Sequence, residues 1–211
     1  MEEQYLQSLL KEDVQWVTDI EEQAKQMKVP IMEPLGMHFL MQLIRLHKPK
    51  KILEIGSGIA YSTLRMVQAY PTTTVTSIER DLDRFNIARE NVANNLEYRN
   101  HVELIHGDAT DILLTLQEQK KMFDMVFIDA AKGQYQRFFE MVNPLVPKAG
   151  VIVSDNVLFR GYVADETFDH PRYRNMVKKL RKYNEYIHKH PQFTSTITPI
   201  GDGVAISYKV E

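Results

Sequence analysis

The sequence has no cysteine in its 211 residues. This absence excludes disulfide scaffolds, thiolate metal sites and cysteine nucleophiles, so any metal or covalent chemistry must use oxygen and nitrogen atoms. The sequence also lacks an apolar run near the roughly 18 residues that a membrane-spanning helix needs, and its N-terminus is acidic rather than basic. We therefore expect a cytoplasmic protein without a membrane segment.

Internal repeats, low-complexity tracts and Gly/Ser-rich linkers are absent as well. We therefore predict one domain over residues 1–211, with N-terminal helices over about 3–47 and a sheet-containing core over 50–211. Within the N-terminal part, apolar residues at helical spacing predict two helices. They are an amphipathic helix that carries Leu6 to Ala24 and stops before Pro30, and a second helix from Gly36 to His47.

From residue 50 onward, short apolar runs alternate with stretches of helical periodicity. The runs are KKILEIG, TVTSIE, VELIHGD, FDMVFIDA and GVIVSDN, and the helical stretches between them are Tyr61–Tyr70, Asp81–Leu96, Asp111–Lys120 and Gln134–Val142. This alternation predicts a parallel sheet covered by helices on both faces. A Lys/Arg-rich helix follows, and then FTSTITPIGDGVAISYKV alternates like two strands joined by Gly201-Asp202-Gly203. The prediction is an α/β fold whose mainly parallel, seven-stranded sheet has a C-terminal antiparallel hairpin at one edge.

A glycine-containing turn follows the first predicted strand, in Glu54-Ile55-Gly56-Ser57-Gly58. Glycines allow the backbone to approach a ligand, and the next helix offers unpaired N–H groups. Tyr61 stands where the dinucleotide fingerprint needs a small residue, so the match to that fingerprint is poor. The Glu54 carboxylate would repel a pyrophosphate and suits a cationic ligand such as an ammonium group. The alternative interpretation is a plain strand-to-helix turn.

Acids also end the second and third predicted strands. Glu79 stands where an acid commonly binds the two hydroxyls of a ribose, although it can equally be a favourable charge at a helix N-terminus. Asp108, in Gly107-Asp108-Ala109, can contact the exocyclic amine of an adenine or serve as a helix N-cap. Together with the glycine turn, these acids favour a ribosyl ligand.

Polar side chains end the fourth and fifth predicted strands: Asp129, Asp155 and Asn156. Because the ends of neighbouring parallel strands meet at one edge, three oxygen atoms can converge there and suit Mg2+. The alternative is that they are exposed polar caps on buried strands. Lys132, three residues after Asp129, is a candidate general base or else a surface lysine. The seven histidines show no convincing ligand spacing, and we interpret them as structural or surface residues.

These motifs resemble the class I S-adenosylmethionine-dependent methyltransferases and, among them, the metal-dependent catechol and caffeoyl-CoA O-methyltransferases. The similarity extends from VPIMEPLG through ILEIGSGIAYST, IERD, GDA, FIDAAKGQY and VSDN to PIGDGVAISYK. It departs from the family at Ala60, where a glycine is usual, and at Gly58, where a bulkier residue is common. The resemblance implies a Rossmann-like class I methyltransferase fold and a homodimer.

The resemblance also implies a role for individual residues. It implies that S-adenosylmethionine contacts residues from several strand ends: Ile31, Glu54, Gly56, Gly58, Ser62, Glu79, Asp108, Ala109 and Asp129. Asp129, Asp155 and Asn156 match the Mg2+ ligands of the family, and Lys132 matches its lysine base, with Asp129 as a second catalytic residue. The implied reaction is the in-line attack of a deprotonated hydroxyl, one of two adjacent oxygens, on the sulfonium methyl group.

The formal net charge of -2 conceals an asymmetry. The segment 172–190 has seven basic residues and one acid, a net charge of +6, which leaves -8 for the rest of the chain. Tyrosines are interleaved with these cations, and this combination suits a phosphate backbone and splayed bases. The candidate RNA-binding residues are Arg172, Arg174, Lys178, Lys179, Arg181 and Lys182. The alternatives are a solvated helix face, or a surface that pairs with the acidic N-terminal helix in a dimer.

Over the whole chain, the sequence is most similar to the bacterial tRNA 5-hydroxyuridine methyltransferases. This resemblance implies a tRNA anticodon loop as partner and conversion of wobble 5-hydroxyuridine to 5-methoxyuridine. The 5-hydroxyl and 4-carbonyl of that base are a vicinal oxygen pair comparable to a catechol, so the alternative acceptor is a small catechol or caffeoyl-type diol.

Two other classes of function stay open. An NAD-dependent oxidoreductase would share the glycine turn and Glu79, but it leaves Glu54 and the Asp129, Asp155 and Asn156 group unexplained. A non-catalytic RNA-binding protein would need only the basic helix.

Overall fold

A seven-stranded sheet runs through the computed structural model, which describes residues 2–211. The strands are β1 (Lys51–Ile55), β2 (Thr74–Glu79), β3 (Val102–His106), β4 (Met125–Ile128), β5 (Val151–Ser154), β6 (Phe193–Thr198) and β7 (Val204–Lys209). Their order in the sheet is β3-β2-β1-β4-β5-β7-β6. The first five strands pair in parallel, whereas β7 pairs antiparallel with both β5 and β6. The predicted mixed sheet with an edge hairpin is confirmed.

Helices cover both faces of this sheet. Within residues 2–211 they are α1 (Glu2–Ser8), α2 (Gln15–Met27), α3 (Pro34–His47), α4 (Tyr61–Ala69), α5 (Leu82–Asn94), α6 (Ala109–Glu118), α7 (Tyr135–Val142) and α8 (Arg174–Lys189). None of these described helices is long and apolar enough to cross a lipid bilayer. The four predicted crossover helices correspond to α4, α5, α6 and α7, and no end differs from the prediction by more than two residues.

The first predicted helix is wrong in one respect, because two helices occupy that stretch. Residues 9–14 separate α1 from α2, and Leu9 is exposed rather than part of an apolar stripe. Asp13 lies in this break and forms an ion pair with Arg65 of α4, whose side chain is only 1% exposed. A buried guanidinium needs a partner, and the break in the helix allows Asp13 to supply it. Helical spacing alone does not reveal such a distant ion pair.

The hydrophobic core is divided between the two faces of the sheet. Ile52 of β1 packs in the cluster formed with α2 to α5, and the next residue, Leu53, packs in the cluster formed with α6 to α8. Met125 and Val126 of β4 divide in the same way. Successive strand residues point to opposite faces, so a strand covered on both faces must be apolar throughout. This is why the parallel strands stand out as continuous apolar runs in the sequence.

The strand order reverses between β1 and β4. The segments that follow these two strands lead to opposite halves of the sheet, and a crevice opens between them. Gly56, directly after β1, adopts a φ of +99°. A Cβ atom on this residue would lie only 2.1 Å from the backbone oxygen of Asp129, so only glycine allows the two strand ends to approach this closely. The tight contact forms the floor of a crevice at the carboxyl ends of the strands.

Candidate active site

A cleft of about 350 Å³ occupies this crevice. Nine residues of its wall are site residues that the sequence predicts: Ile31, Gly56, Gly58, Ser62, Glu79, Asp108, Ala109, Asp129 and Lys132. Three other predicted site residues, Glu54, Asp155 and Asn156, do not belong to the wall of this cleft. Glu54 is part of β1, whereas Asp155 and Asn156 follow the end of β5.

Glu79 and Asp108 form the end of the cleft that is predicted to hold the nucleoside. Glu79 accepts hydrogen bonds from the backbone N–H of Gly58 and from that of Asp81, both at 2.8 Å. Asp108 is the N-cap of α6 and accepts from the Thr110 N–H at 2.9 Å, and its bonds to Thr110 lower the pKa of the Asp108 carboxyl. Both acids therefore brace the local backbone while they also line the cleft, so the structural and the ligand-binding interpretations are compatible.

Glu54 lies behind the glycine turn rather than in the cleft. Its side chain is fully buried, and its carboxylate accepts hydrogen bonds from the hydroxyls of Ser62, Thr63 and, at 2.5 Å, Ser77. Burial raises the pKa of Glu54 to about 7 although these hydroxyls favour its ionised form. Glu54 therefore does not line the cleft, and the contact with a cationic ligand expected from the sequence stays a prediction. At this end of the cleft, the carboxylate that faces the cavity is that of Asp129.

The buried Glu54 makes the stability of the protein depend on pH. Its carboxyl has a pKa of about 7 in the folded state against 4.5 as the ordinary value, so between these values the folded state binds more protons than the unfolded chain. The contribution of this site to stability is therefore present at acidic pH and is lost as the pH rises through 7. Relative to Glu54→Gln, we expect the unfolding free energy of the wild type to fall by about 2 to 3 kcal/mol between about pH 5 and pH 8.

Denaturant unfolding of both proteins across this pH range measures the difference. Glu90→Gln, on the exposed surface of α5, is the matched control and should keep a constant difference from the wild type. A constant difference for Glu54→Gln as well would contradict the prediction.

Asp129 and Lys132 form an ion pair in the cleft wall. Lys132 begins a short 3-10 turn after β4, and its Nζ lies 3.6 Å from Asp129 Oδ1. The two side chains retain 21% and 24% exposure, so a bound molecule can reach both. Burial raises the pKa of Asp129, and the charge of Lys132 opposes this effect. The turn thus presents an amine and a carboxylate next to each other at the edge of the cofactor cleft.

Asp155 stands beside Asp129 because β4 and β5 pair in register, with Ile128 opposite Ser154. The Asp155 side chain is buried, and burial together with the charge of Asp129 raises its pKa to about 7. Asn156 follows with a φ of +55°, and its N–H donates to Asp155 Oδ1 at 2.7 Å. Two carboxylates are thus held together at adjacent strand ends, with a carboxamide next to them in the chain.

This group fits a hard divalent cation by the chemistry of its donors. Within residues 2–211, no cluster of three or more His, Asp or Glu side chains is arranged to hold a metal ion. The set Asp129, Asp155 and Asn156 contains only two such residues, but all its side-chain donors suited to a cation are oxygen atoms, which Mg2+ prefers. The buried carboxylate of Asp155 and the partly exposed carboxylate of Asp129 repel each other, and a divalent cation between them would relieve this repulsion.

The predicted RNA-binding residues occupy different environments. Lys178, Lys179 and Lys182 are exposed on α8. Arg172 lies over the ring of Tyr173 at 5.2 Å, and Arg174 approaches Asp169 at 3.9 Å. Arg181 differs from the others, because its guanidinium donates to three carbonyl oxygens of the preceding loop, those of Tyr162, Val163 and Asp165. Arg181 therefore holds this loop in place rather than presenting a free charge to a partner.

Several residues of the cleft wall were missed by the sequence reasoning. They include Met32, Tyr61, Arg80, Arg84, Gln134 and Phe138. Arg80 directly follows Glu79, and Gln134 lies two residues after Lys132, so proximity to a predicted strand end was an available signal for both. Phe138 carries no such signal, because an apolar residue on a crossover helix is ordinarily a core residue.

The ligand cleft lies at the strand-order reversal of a mainly parallel sheet, with a glycine turn after β1 and acids after β2 and β3. This arrangement is the one that the resemblance to the class I S-adenosylmethionine-dependent methyltransferases implies. Comparison with known proteins narrows this class. The sequence profile of the O-methyltransferase family matches residues 2–210, and the chain belongs to this family.

Three known proteins illustrate the similarity. A Staphylococcus aureus protein named after caffeoyl-CoA O-methyltransferase has a solved structure with a TM-score of 0.90, 36% identity and 99% coverage of both chains. The O-methyltransferase of Bacillus cereus in complex with SAH has a TM-score of 0.86 at 26% identity, covering 98% of this chain and 96% of that one. The catechol O-methyltransferase of Niastella koreensis is 33% identical over 161 residues, which are 75% of this chain and 71% of that protein. The protein is therefore an S-adenosylmethionine-dependent O-methyltransferase.

Proposed function

We propose that this O-methyltransferase methylates one of two adjacent oxygen atoms of its acceptor, with Mg2+ held by Asp129, Asp155 and Asn156. The observation that carries this proposal is the contiguity of the cofactor cleft, the Lys132–Asp129 pair and the Asp155 carboxylate. When bound, the ion would act as a Lewis acid toward the acceptor oxygens.

Each residue at this edge has a defined task in the proposed reaction. In its neutral amine form, Lys132 accepts the proton of the acceptor hydroxyl at Nζ. The resulting oxyanion attacks the methyl group of the sulfonium in line, the bond between that methyl carbon and sulfur breaks, and S-adenosylhomocysteine leaves. Asp129 lies in the wall of the cofactor cleft and next to Lys132, so its carboxylate orients the amine toward the methyl donor. No protein nucleophile is needed, because the sulfonium is already activated. Holding the two reactants together supplies up to roughly 7 to 11 kcal/mol of the acceleration.

As the acceptor, we propose 5-hydroxyuridine at the wobble position of tRNA. The support comes from α8, which packs beside the catalytic turn. The Nζ of Lys179 lies 3.4 Å from the position that a Cβ atom of Gly133 would occupy, one residue after Lys132. Exposed cations on this helix suit the phosphates of an anticodon loop, and a wobble base in a single-stranded loop can turn into a pocket. A tRNA substrate also implies a cytoplasmic location.

A small catechol or caffeoyl-type diol is the second candidate, and the names of the relatives favour it over RNA. The Niastella koreensis relative is named for catechol, and the Staphylococcus aureus protein for caffeoyl-CoA. Both acceptors offer the same pair of adjacent oxygens, so the chemistry of the site is common to them. The difference lies in whether α8 takes part in binding the acceptor.

Nucleoside mass spectrometry separates the two acceptors. The protein is incubated with S-adenosylmethionine and either tRNA that contains 5-hydroxyuridine or catechol and caffeate, each with and without EDTA. We expect 5-methoxyuridine in the tRNA, and no product with EDTA. If catechol were methylated efficiently while the tRNA stayed unchanged, the acceptor would be the small diol and not tRNA.

Substitutions on α8 give a second way to distinguish tRNA from a small catechol-type acceptor. We expect Lys178→Ala/Lys182→Ala to raise the KM for tRNA and to weaken its salt dependence, with no change for a catechol. The matched control, Lys121→Ala/Lys148→Ala, removes two exposed lysines at the opposite end of the strands and should leave both acceptors unaffected. An unchanged KM for tRNA in the α8 variant would count against RNA binding by this helix.

We also propose a homodimer in which α1 forms part of the interface. Tyr5, Leu6 and Leu9 are large apolar side chains at the N-terminus, and each is about half or more exposed. Large apolar side chains that are exposed so close together in the sequence suit an interaction surface. Sedimentation velocity of the wild type and of Leu6→Ser/Leu9→Ser tests it, and an unchanged sedimentation coefficient would exclude α1 from the interface.

A further inference from the structure

The turn between β6 and β7 holds the segment that follows Asp155 and Asn156. The backbone oxygen of Asp202 accepts hydrogen bonds from the N–H groups of Leu158 at 2.8 Å and Phe159 at 3.0 Å. The Asp202 side chain accepts a third bond, from the Arg160 N–H to Oδ1 at 3.0 Å. The backbone oxygen of Gly203, the next residue in the turn, accepts a hydrogen bond from the Val157 N–H at 2.9 Å. Four consecutive amides, 157 to 160, are thus bound by two residues of the hairpin turn.

Gly203 allows the turn to approach this closely. Its φ is +88°, and a Cβ atom here would lie 2.4 Å from the Cγ of Leu158. Both the conformation and the space therefore require glycine. The Gly201-Asp202-Gly203 turn thus joins the two strands of the hairpin and also binds the segment 157–160 through hydrogen bonds.

The held segment has an unfavourable backbone conformation. Asn156, Phe159 and Arg160 have φ values of +55°, +34° and +56°, a region that residues other than glycine rarely adopt. Such a backbone conformation is strained and persists only where the surrounding structure determines it. The hydrogen bonds to Asp202 fall on Phe159 and Arg160, two of these three residues. The hairpin turn is therefore what keeps the chain in this conformation directly after the proposed metal ligands.

We infer that Asp202 is a positioning residue for the acceptor side of the site, acting through the segment 157–160 on the direction of the Asn156 carboxamide. The inference rests on the proposed function, because it assigns Asn156 to metal and acceptor binding. Asp202 is not part of the cofactor cleft wall. Its loss is therefore expected to weaken metal and acceptor binding while the affinity for S-adenosylmethionine is unchanged.

Two substitutions at this position separate its side chain from its backbone. Asp202→Ala removes the acceptor of the Arg160 N–H but keeps both bonds to the backbone oxygen. Asp202→Asn keeps a side-chain oxygen and should restore the function. Asp124→Ala is the matched control, because the Asp124 carboxylate also holds two backbone N–H groups, those of Lys50 and Lys51 at 2.8 and 2.9 Å, at the opposite end of the sheet.

Four quantities are measured on each protein: the Mn2+ affinity by electron paramagnetic resonance, the KM of the acceptor that the wild type methylates, the S-adenosylmethionine Kd by calorimetry, and hydrogen exchange at Arg160. For Asp202→Ala we expect about a tenfold loss in Mn2+ affinity, a similar rise in acceptor KM and faster exchange at Arg160, with an unchanged cofactor Kd. Asp202→Asn should stay within about twofold of the wild type. Asp124→Ala should lower the melting temperature only.

An Asp202→Ala protein with wild-type Mn2+ affinity and acceptor KM would overturn the inference and leave the proposed function intact. Equal losses in Asp202→Ala and Asp124→Ala would also overturn it, since they would reflect general destabilisation. Failure of the proposed function has a different signature: the wild type itself would neither bind Mn2+ nor methylate either acceptor, and the inference would fall with it.

Discussion

Replacement of Lys132 by alanine is expected to lower kcat by about 100- to 10,000-fold. The Nζ of Lys132 lies 3.6 Å from Asp129 Oδ1 at the edge of the cofactor cleft, and it is the proposed acceptor of the substrate proton. Cofactor affinity should change little, because most of the cleft wall is formed by other residues. Single-turnover methyl transfer at saturating acceptor measures the chemical step, and calorimetry measures the affinity for S-adenosylmethionine.

Lys179→Ala is the control for the loss of a positive charge near the same turn. Its Nζ lies next to Gly133, but its side chain is not part of the cleft wall. We expect this variant to keep its kcat at saturating acceptor and, if the acceptor is tRNA, to show a raised KM. A Lys132→Ala enzyme that retained kcat within about threefold would refute the assignment of Lys132 as the base.

Asp155→Asn should reduce methyl transfer by about a thousandfold or more and make the residual rate insensitive to EDTA. The substitution removes one of the two charges proposed to hold Mg2+, and the wild type should lose activity to a similar extent when EDTA removes the ion. Because Asp155 lies outside the cofactor cleft, the variant should bind S-adenosylmethionine normally. Asp129→Asn should differ, since Asp129 lines the cleft and its loss should weaken cofactor binding as well.

The measurements are initial rates over a titration with Mg2+ or Mn2+, together with cofactor binding by calorimetry. Asp165→Asn, an exposed acid in the loop before α8, controls for the loss of a negative charge. Full activity of the wild type in EDTA, after dialysis to remove bound ions, would contradict the metal proposal. An Asp155→Asn variant that lost cofactor affinity would show that the two halves of the site are not separable as the structure indicates.

Much of the fold was predictable because the parallel strands are buried on both faces. The runs around Ile52 and Met125 are continuous apolar stretches for this reason, and the turn signals between them mark the crossovers. The residues of the cofactor cleft were predictable for a related reason. In an open parallel sheet the ligand lies at the carboxyl ends of the strands, so Glu79, Asp108 and Asp129 could be read directly from the strand ends.

The misplaced features share a physical cause, which is that each depends on a partner far away in the sequence. The break between α1 and α2 involves Asp13 and Arg65, and the guanidinium of Arg181 is bound by the loop carbonyls of 162–165. Glu54 has the right residue type for a cationic ligand, but hydroxyls from α4 and β2 enclose it. Spacing along the chain contains no information about any of these contacts.

Sequence alone therefore determined the class of fold, the strand ends that carry the site and the excess of positive charge on α8, because these follow from local periodicity and residue type. Only the tertiary structure decided which acids face the cleft and which are buried supports, as with Asp129 and Glu54. It also showed that Asp202, which looks like an ordinary turn residue, binds the strained segment after Asn156. Register between strands and hydrogen bonds across the sheet set these roles, and both exist only once the chain has folded.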